Sequence, residues 1–223
     1  MWIGLTIIAY VVALFVLKHL KVPFLNSLLL GMTMVMLVLY GFDIPYETYY
    51  AQTSWINYFM QAAVVALAYP LYEQLPQIRS NLKFILLSCF SSCFISIFLT
   101  GFVAWLYDTP APLLASIIVK SVTTPIAVEI SASLDGQTAI VVILVLIAGL
   151  TGATLFYPIF RLLGVKDAAH RGIILGSLSH AIGTSVSVKH SSKDTAFSSV
   201  ALIITAIFSS FLAPLAYQFF IWI

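Results

Sequence analysis

Charge is what this chain lacks most. Its 223 residues include 10 basic and 8 acidic side chains, 8% in all, against roughly 25% in a soluble domain. That leaves too little charge to cover a water-facing surface, which excludes a soluble enzyme, a disordered protein and a nucleic-acid-binding domain. The net charge of +2 is too small to call for a polyanion partner, and no nucleic acid is expected. Cysteine is scarce too. Cys89 and Cys93 lie four apart in an apolar stretch, where helix geometry disfavours a bridge and free thiols pack as small hydrophobes. The four His stand at 19, 170, 180 and 190, without ligand spacing. There is no nucleotide loop, no nucleophile elbow and no paired metal-ligand motif, so neither an enzyme nor a cofactor or metal site is expected. No cleavable signal is expected either. Met1–Leu17 is apolar from its start, and Lys18-His19-Leu20-Lys21 follows it instead of a small-residue cleavage site.

What is present is apolar: 61% hydrophobic residues and a mean hydropathy of +1.07. The apolar residues fall in long blocks, and a helix needs about 20 of them to cross a bilayer. Clear spans are expected at 2–17, 23–41, 55–75, 84–106, 138–160 and 195–222. Trp2, Tyr49, Tyr50, Trp55, Trp105, Tyr107 and Trp222 gather near span ends, as interfacial aromatics do. Two further segments, 111–134 and 172–188, are too polar for simple lipid-facing helices.

These two segments repeat one another. IIVKSVTTPIAV (117–128) matches IILGSLSHAIGT (173–184) at an offset of 56 (173 minus 117), with Ser121 over Ser177, and Pro158 meets Pro214 at the same offset. Charge then selects a topology. Nine Lys/Arg fall in four groups: Lys18 and Lys21; Arg79 and Lys83; Arg161, Lys166 and Arg171; Lys189 and Lys193. Asp43, Glu47, Asp108 and Asp135 occupy the other connections. Basic loops favour the cytoplasm. If both polar segments cross, six of the nine are inside and three outside; if both dip in and return, all nine are inside. The expected fold is therefore an all-α membrane protein of six transmembrane helices plus two oppositely oriented re-entrant, broken helices in an inverted repeat. Both termini would be periplasmic. Residues 1–110 would form the N-terminal helices, spans 1–4, with 1–54 a possible scaffold or oligomerisation part. Residues 111–223 would form the inverted-repeat core, moving against spans 1–3. Half a hydrocarbon core is about 15 Å, or about ten helical residues, so arms 111–121 and 126–134 bring Ser121–Pro125 and Ser177–Ala181 together near the midplane. Inverted repeats of interrupted helices are the architecture of secondary transporters.

The candidate substrate-binding residues are Lys120, Ser121, Thr123, Thr124, Pro125, Ser179, His180, Gly183 and Thr184. Pro125 suits the first helical position, with Thr124 as N-cap. Ser179 or His180 would cap the second repeat, and Gly183 would allow close approach. Opposed helix N-termini suit a small anion. The hydroxyls either bind it or bond to their own helices' carbonyls. Lys120 is the one Lys or Arg outside the basic loops, and an intramembrane cation usually marks a pathway. It either neutralises a carboxylate substrate, pairs with Glu129 or Glu73, or snorkels. His180 binds the anion, carries a coupling proton or is a satisfied donor. Pro70 is expected to kink the third span, with Glu73 near its end.

At Lys-Ser-Val-Thr-Thr-Pro-Ile-Ala (120–127) and Ser-His-Ala-Ile-Gly-Thr (179–184) the chain resembles the LrgB/CidB family, including its YohK-like members. Ala63–Tyr72 is similar to that family's third-span motif, and the resemblance covers roughly 60–220. It implies a bacterial inner-membrane protein, often encoded beside a small LrgA/CidA-type membrane partner. The family is described as antiholin-like, controlling murein hydrolase activity. A plastid relative resembles a glycolate/glycerate transporter, and bacterial relatives are linked to pyruvate. The stretch 128–137 departs from the Gly-richer family pattern. Two functions compete. One is a secondary transporter of small monocarboxylates (pyruvate, lactate or glycolate), in lipid bilayer and, by analogy, as a homodimer. The other is an antiholin-like regulator acting through the LrgA/CidA-type partner.

Overall fold

The computed structural model describes residues 2–20, 27–59, 62, 65, 69, 72 and 75–223. All regular structure among them is helical. Lys21, Pro70 and Glu73, and most of the motif at 63–72, lie outside the described residues. The chain divides into two compact units, Met1–Ala63 and Val64–Ile223.

In the first unit α1 (Trp2–Leu20) pairs with α2 (Ser27–Gly41), and a short α3 (Tyr46–Thr53) follows. Gly31 lets the pair close up: a Cβ there would lie 3.4 Å from the Tyr10 Cα. Thr6 Oγ1 and Tyr49 OH share a hydrogen bond of 2.8 Å, tying α1 to α3. Ile7, Ile8 and Phe15 stay exposed on α1, the outward apolar face expected of a helix that meets lipid.

The second unit carries α4 (Leu75–Ser80), α5 (Leu82–Leu106), α6 (Ala111–Ile117), α7 (Thr124–Ala132), α8 (Thr138–Leu162), α9 (Ala168–Ser187) and α10 (Ser192–Trp222). Trp2–His19, Leu82–Leu106, Thr138–Leu162 and Ser192–Trp222 are each long and apolar enough to cross a membrane. At 1.5 Å per residue a 25-residue helix such as α5 or α8 reaches about 37 Å. The chain is a multi-pass membrane protein. Pro158 and Pro214 both sit inside their helices, α8 and α10. Asp43, Asp108 and Asp135 take positive φ (49°, 48° and 58°) just beyond α2, α5 and α7, where a short polar side chain tolerates the left-handed turn that ends a helix.

Both polar segments are interrupted. The first is two helices, α6 and α7, joined through residues 118–123. Its first arm is shorter than the expected 111–121, because Lys120 and Ser121 belong to the turn, and its second arm lies two residues ahead of the expected 126–134. The second, α9, starts at Ala168, ahead of the expected 172, since Asp167 caps it: its side chain accepts from Ala169 N at 2.7 Å and His170 N at 3.2 Å. Helical dihedrals fail at Ser179 (φ −129°, ψ 15°) and His180 (φ 42°, ψ −141°).

Each interrupted segment doubles back. Gln137 N donates to Ser116 Oγ at 2.7 Å, although a continuous helix would set residues 116 and 137 about 31 Å apart. In the second segment a Cβ on Gly172 would lie 2.6 Å from the Asp194 carbonyl oxygen, and Gly176 packs on Ser198 and Ala201. The first half of α9 therefore runs with α10. Its second half runs against α10, because Thr184 bonds to Ser198 (2.7 Å) and Ser187 to Thr195 (3.0 Å). The feet of the two hairpins stand at opposite ends of α8, at Gln137 and at Tyr157, whose hydroxyl donates to Asp194 Oδ2 at 2.9 Å. Twenty helical residues separate those points by about 30 Å.

Candidate functional site

The core is built around the first turn. Ile118, Val119 and Val122 are buried in one cluster with Ile97, Val141 and Val145. Protein thus covers the non-helical backbone, the condition for such backbone inside a membrane. Thr123, extended at φ −64° and ψ 146°, is the N-cap of α7. Thr124 is therefore the first helical residue and Pro125 the second, one place later than the sequence suggests. The register slips because Thr123 and not Thr124 has the extended backbone that an N-cap requires. Pro125 still falls among the first four residues, whose N–H groups have no intrahelical acceptor.

Thr123 Oγ1 makes no capping bond, and it is buried without any hydrogen-bond partner among the described residues. A buried unpaired hydroxyl costs about 1–3 kcal/mol; Ser131 Oγ and Thr205 Oγ1 are buried without a partner among the described residues as well. Thr124 is half-buried beside it. Lys120, also half-buried, donates from Nζ to Thr100 Oγ1 on α5. An ammonium carries three donors, and no carboxylate pairs with Lys120 among the described residues. Glu129 is exposed and does not neutralise it.

The tips are located by α5. Ser121 Oγ shares a hydrogen bond with Ser96 Oγ at 2.8 Å, and Ser177 Oγ shares one with Ser92 Oγ at 2.9 Å. Ser92, Ser96 and Thr100 recur every four residues, so they form one stripe on the helix. Ser121 and Ser177, which match at the sequence offset of 56, hold adjacent turns of that stripe, about 6 Å apart along the axis. Ser92 and Ser96 flank the middle of Leu82–Leu106. The stripe was missed in the sequence because the span reads as plainly apolar. Its signal was there, in three hydroxyls at positions i, i+4 and i+8.

The second turn is chemically closed. Ser179 Oγ donates to its own helix at Leu175 O (2.6 Å), and Thr184 Oγ1 donates to His180 O (2.8 Å). His180 Nε2 donates to Val145 O of α8 at 2.9 Å. His180 is buried, and its positive φ costs about 1–3 kcal/mol. Glycines make room: a Cβ on Gly149 would fall 2.8 Å from the His180 ring, and Gly152 and Gly183 both abut Ser179. Gly183 therefore accommodates the turn's own side chain. Gly149 and Gly152, on the opposing helix, were not anticipated.

At the foot of the second hairpin Asp194 is fully buried. Arg171 holds it bidentately, Nε to Oδ2 at 2.9 Å and Nη2 to Oδ1 at 2.8 Å. Cys89 and Cys93 are free, buried thiols. Among the described residues no group of three or more His, Cys, Asp or Glu is placed to hold a metal ion.

Known proteins match almost the whole chain. The model of the LrgB-like family covers residues 6–219. The chain belongs to the LrgB-like family. An uncharacterized protein of Haemophilus influenzae is 35% identical over 214 residues, 96% of this chain and 93% of that protein. The protein YxaC of Bacillus subtilis is 34% identical, covering 97% and 94%. The holin-like protein CidB of Staphylococcus aureus is 30% identical, covering 94% and 92%. No solved structure matches.

Proposed function

We propose that this LrgB-like protein is a secondary transporter of small monocarboxylates of the pyruvate, lactate or glycolate kind, working as a carrier and not as an enzyme. The observation that carries this reading is the meeting of the two hairpin turns on adjacent turns of α5, through Ser121–Ser96 and Ser177–Ser92. On this reading 111–134 and 172–188 are re-entrant segments of an inverted repeat within six crossings. The protein lies in the bacterial inner membrane with both termini periplasmic. Feet at opposite ends of α8 support the inversion. The anion site is the first turn. Lys120 brings charge that no described carboxylate cancels, Thr123 Oγ1 is an unused hydrogen-bonding group, and the start of α7 supplies backbone N–H groups and a positive dipole end. A monocarboxylate fits one ammonium, one hydroxyl and one helix end. The test is uptake of labelled pyruvate, lactate and glycolate into proteoliposomes. Saturable uptake that Lys120→Ala abolishes, with folding intact, is the expected result; unchanged uptake in that variant overturns the site.

A second reading rests on the printed name of the Staphylococcus relatives, holin-like protein CidB. There the chain is an antiholin-like regulator of murein hydrolase activity, working through a small LrgA/CidA-type membrane protein, and the turns are structural. Co-purification with that partner, together with no flux from the pure protein, would favour it over transport.

A further inference from the structure

The loop between α8 and α9 is shaped by a charge pair, buried Asp194 with half-buried Arg171, that transport at the turns does not use. Arg171 spends Nε and Nη2 on Asp194, and its Nη1 donates to Lys166 O at 2.5 Å and to Val165 O at 3.3 Å. One guanidinium thus pins the loop 163–167 over the start of α10. Gly164, at φ +66°, makes the turn. Above the pair lies a depression of about 550 Å3 lined by Tyr157, Phe160, Arg161, Lys166, Arg171 and His190, among others. The Tyr157 and His190 rings stack at 3.6 Å and 19° to form its wall.

The charges in this depression do not cancel. Asp194 offsets Arg171, whereas Arg161 and Lys166 are exposed and make no side-chain hydrogen bond or ion pair among the described residues. The other nearby acid, Asp167, is committed to capping α9 and to His170 Nδ1 at 3.2 Å. Two cations therefore face a concave wall with nothing to bind. Their depth matters as well. Tyr157–Leu162 is the end of a membrane-length helix, and Leu162 and Leu163 beside the cations are 85% and 70% exposed. Cations beside bare apolar side chains at a helix end suit an amphiphile whose phosphate lies at headgroup level.

We propose that this basic depression binds a phosphate group, held by Arg161 and Lys166 and backed by the fixed Arg171. Leu162 and Leu163 favour an anionic lipid as its carrier over a free phosphate ion or ester. The inference is independent of the transport reading. The test is thermal unfolding of the full chain in detergent with added phosphatidylglycerol, phosphatidylcholine, or inorganic phosphate against chloride at equal ionic strength. Phosphatidylglycerol should raise the melting temperature by several degrees and phosphatidylcholine should not. The double variant Arg161→Gln/Lys166→Gln should keep the melting temperature seen in phosphatidylcholine and lose the increment. Since neither side chain bonds to a described residue, that variant should fold. A rise with the lipid but not with inorganic phosphate assigns the site to lipid, and a rise with inorganic phosphate assigns it to the free ion. No rise with either, or a rise that survives in the double variant, overturns the proposal.

Discussion

The two turns lie in segments that match at an offset of 56, and their polar groups are partnered in opposite ways. At the first, Thr123 Oγ1 is buried without a partner and Lys120 has no counter-ion among the described residues. At the second, Ser179, His180 and Thr184 are bonded to Leu175, Val145 and Ser198. The residue aligned with Lys120 is Gly176 (120 plus 56), which packs flat on α10. Two segments that match at an offset of 56 therefore differ in what their polar atoms do. One turn keeps unsatisfied groups that a ligand can complete. The other uses its polar atoms to hold its own strained backbone.

That contrast can be attacked in descending order of effect. Gly183→Val drives a side chain into Ser179 and should destabilise the protein by about 3 kcal/mol or more, seen as lost monodisperse yield and a lower melting temperature. Its counterpart in the first repeat is Ala127 (183 minus 56), and Ala127→Gly should cost only about 1 kcal/mol. Equal losses would dissolve the distinction. Lys120→Ala should lower carboxylate uptake at least tenfold, a threshold equal to about 1.4 kcal/mol, while the melting temperature holds. Thr123→Val should separate the two properties. It removes a buried unpaired hydroxyl, so stability should rise by about 1 kcal/mol as uptake falls; a stability loss would mean the hydroxyl has a protein partner after all. Ser92→Ala and Ser96→Ala, each breaking one bond from α5 to a turn, should each cost about 1 kcal/mol, read in denaturant or heat.

The smallest effect lies outside both turns. The backbone N–H groups of His170 and Ala169 hold the Asp167 carboxyl below its usual range. Its stabilising share is complete above the ordinary carboxylate value and disappears as pH falls through the depressed one. Asp167→Asn should lower the neutral plateau of a melting-temperature profile slightly and leave its acid end nearly unchanged, so that the profile flattens.

Much of this was legible in the sequence. Four of the six expected spans, 2–17, 84–106, 138–160 and 195–222, coincide with helices long and apolar enough to cross a membrane, since only a helix satisfies its own backbone in lipid. The expected span 23–41 holds the shorter α2, most of 55–75 lies outside the described residues, and polar residues at one offset mark both interruptions. The polar residues of the two turns were legible as clusters, but the partners they bond to were not. Whether Ser179 faces a ligand or Leu175 O depends on a backbone dihedral, and His180 at positive φ is not what local preference would choose. The partners Ser92, Ser96, Gly149 and Gly152 are distant in sequence, so their roles appear only once the hairpins are closed. The pairing offered between Lys120 and Glu129 failed because Glu129 is exposed, in the second half of α7.

The central claim is that two hairpins enter from opposite sides and stop halfway. Single-thiol labelling of intact and inverted vesicles tests it most directly, in a background carrying Cys89→Ala and Cys93→Ala. The account expects Asp108→Cys and Asp135→Cys to react from the periplasmic side alone, and Lys166→Cys and Lys189→Cys from the cytoplasmic side alone. If Asp108→Cys and Asp135→Cys react from opposite sides, the first segment crosses the membrane and the account is wrong.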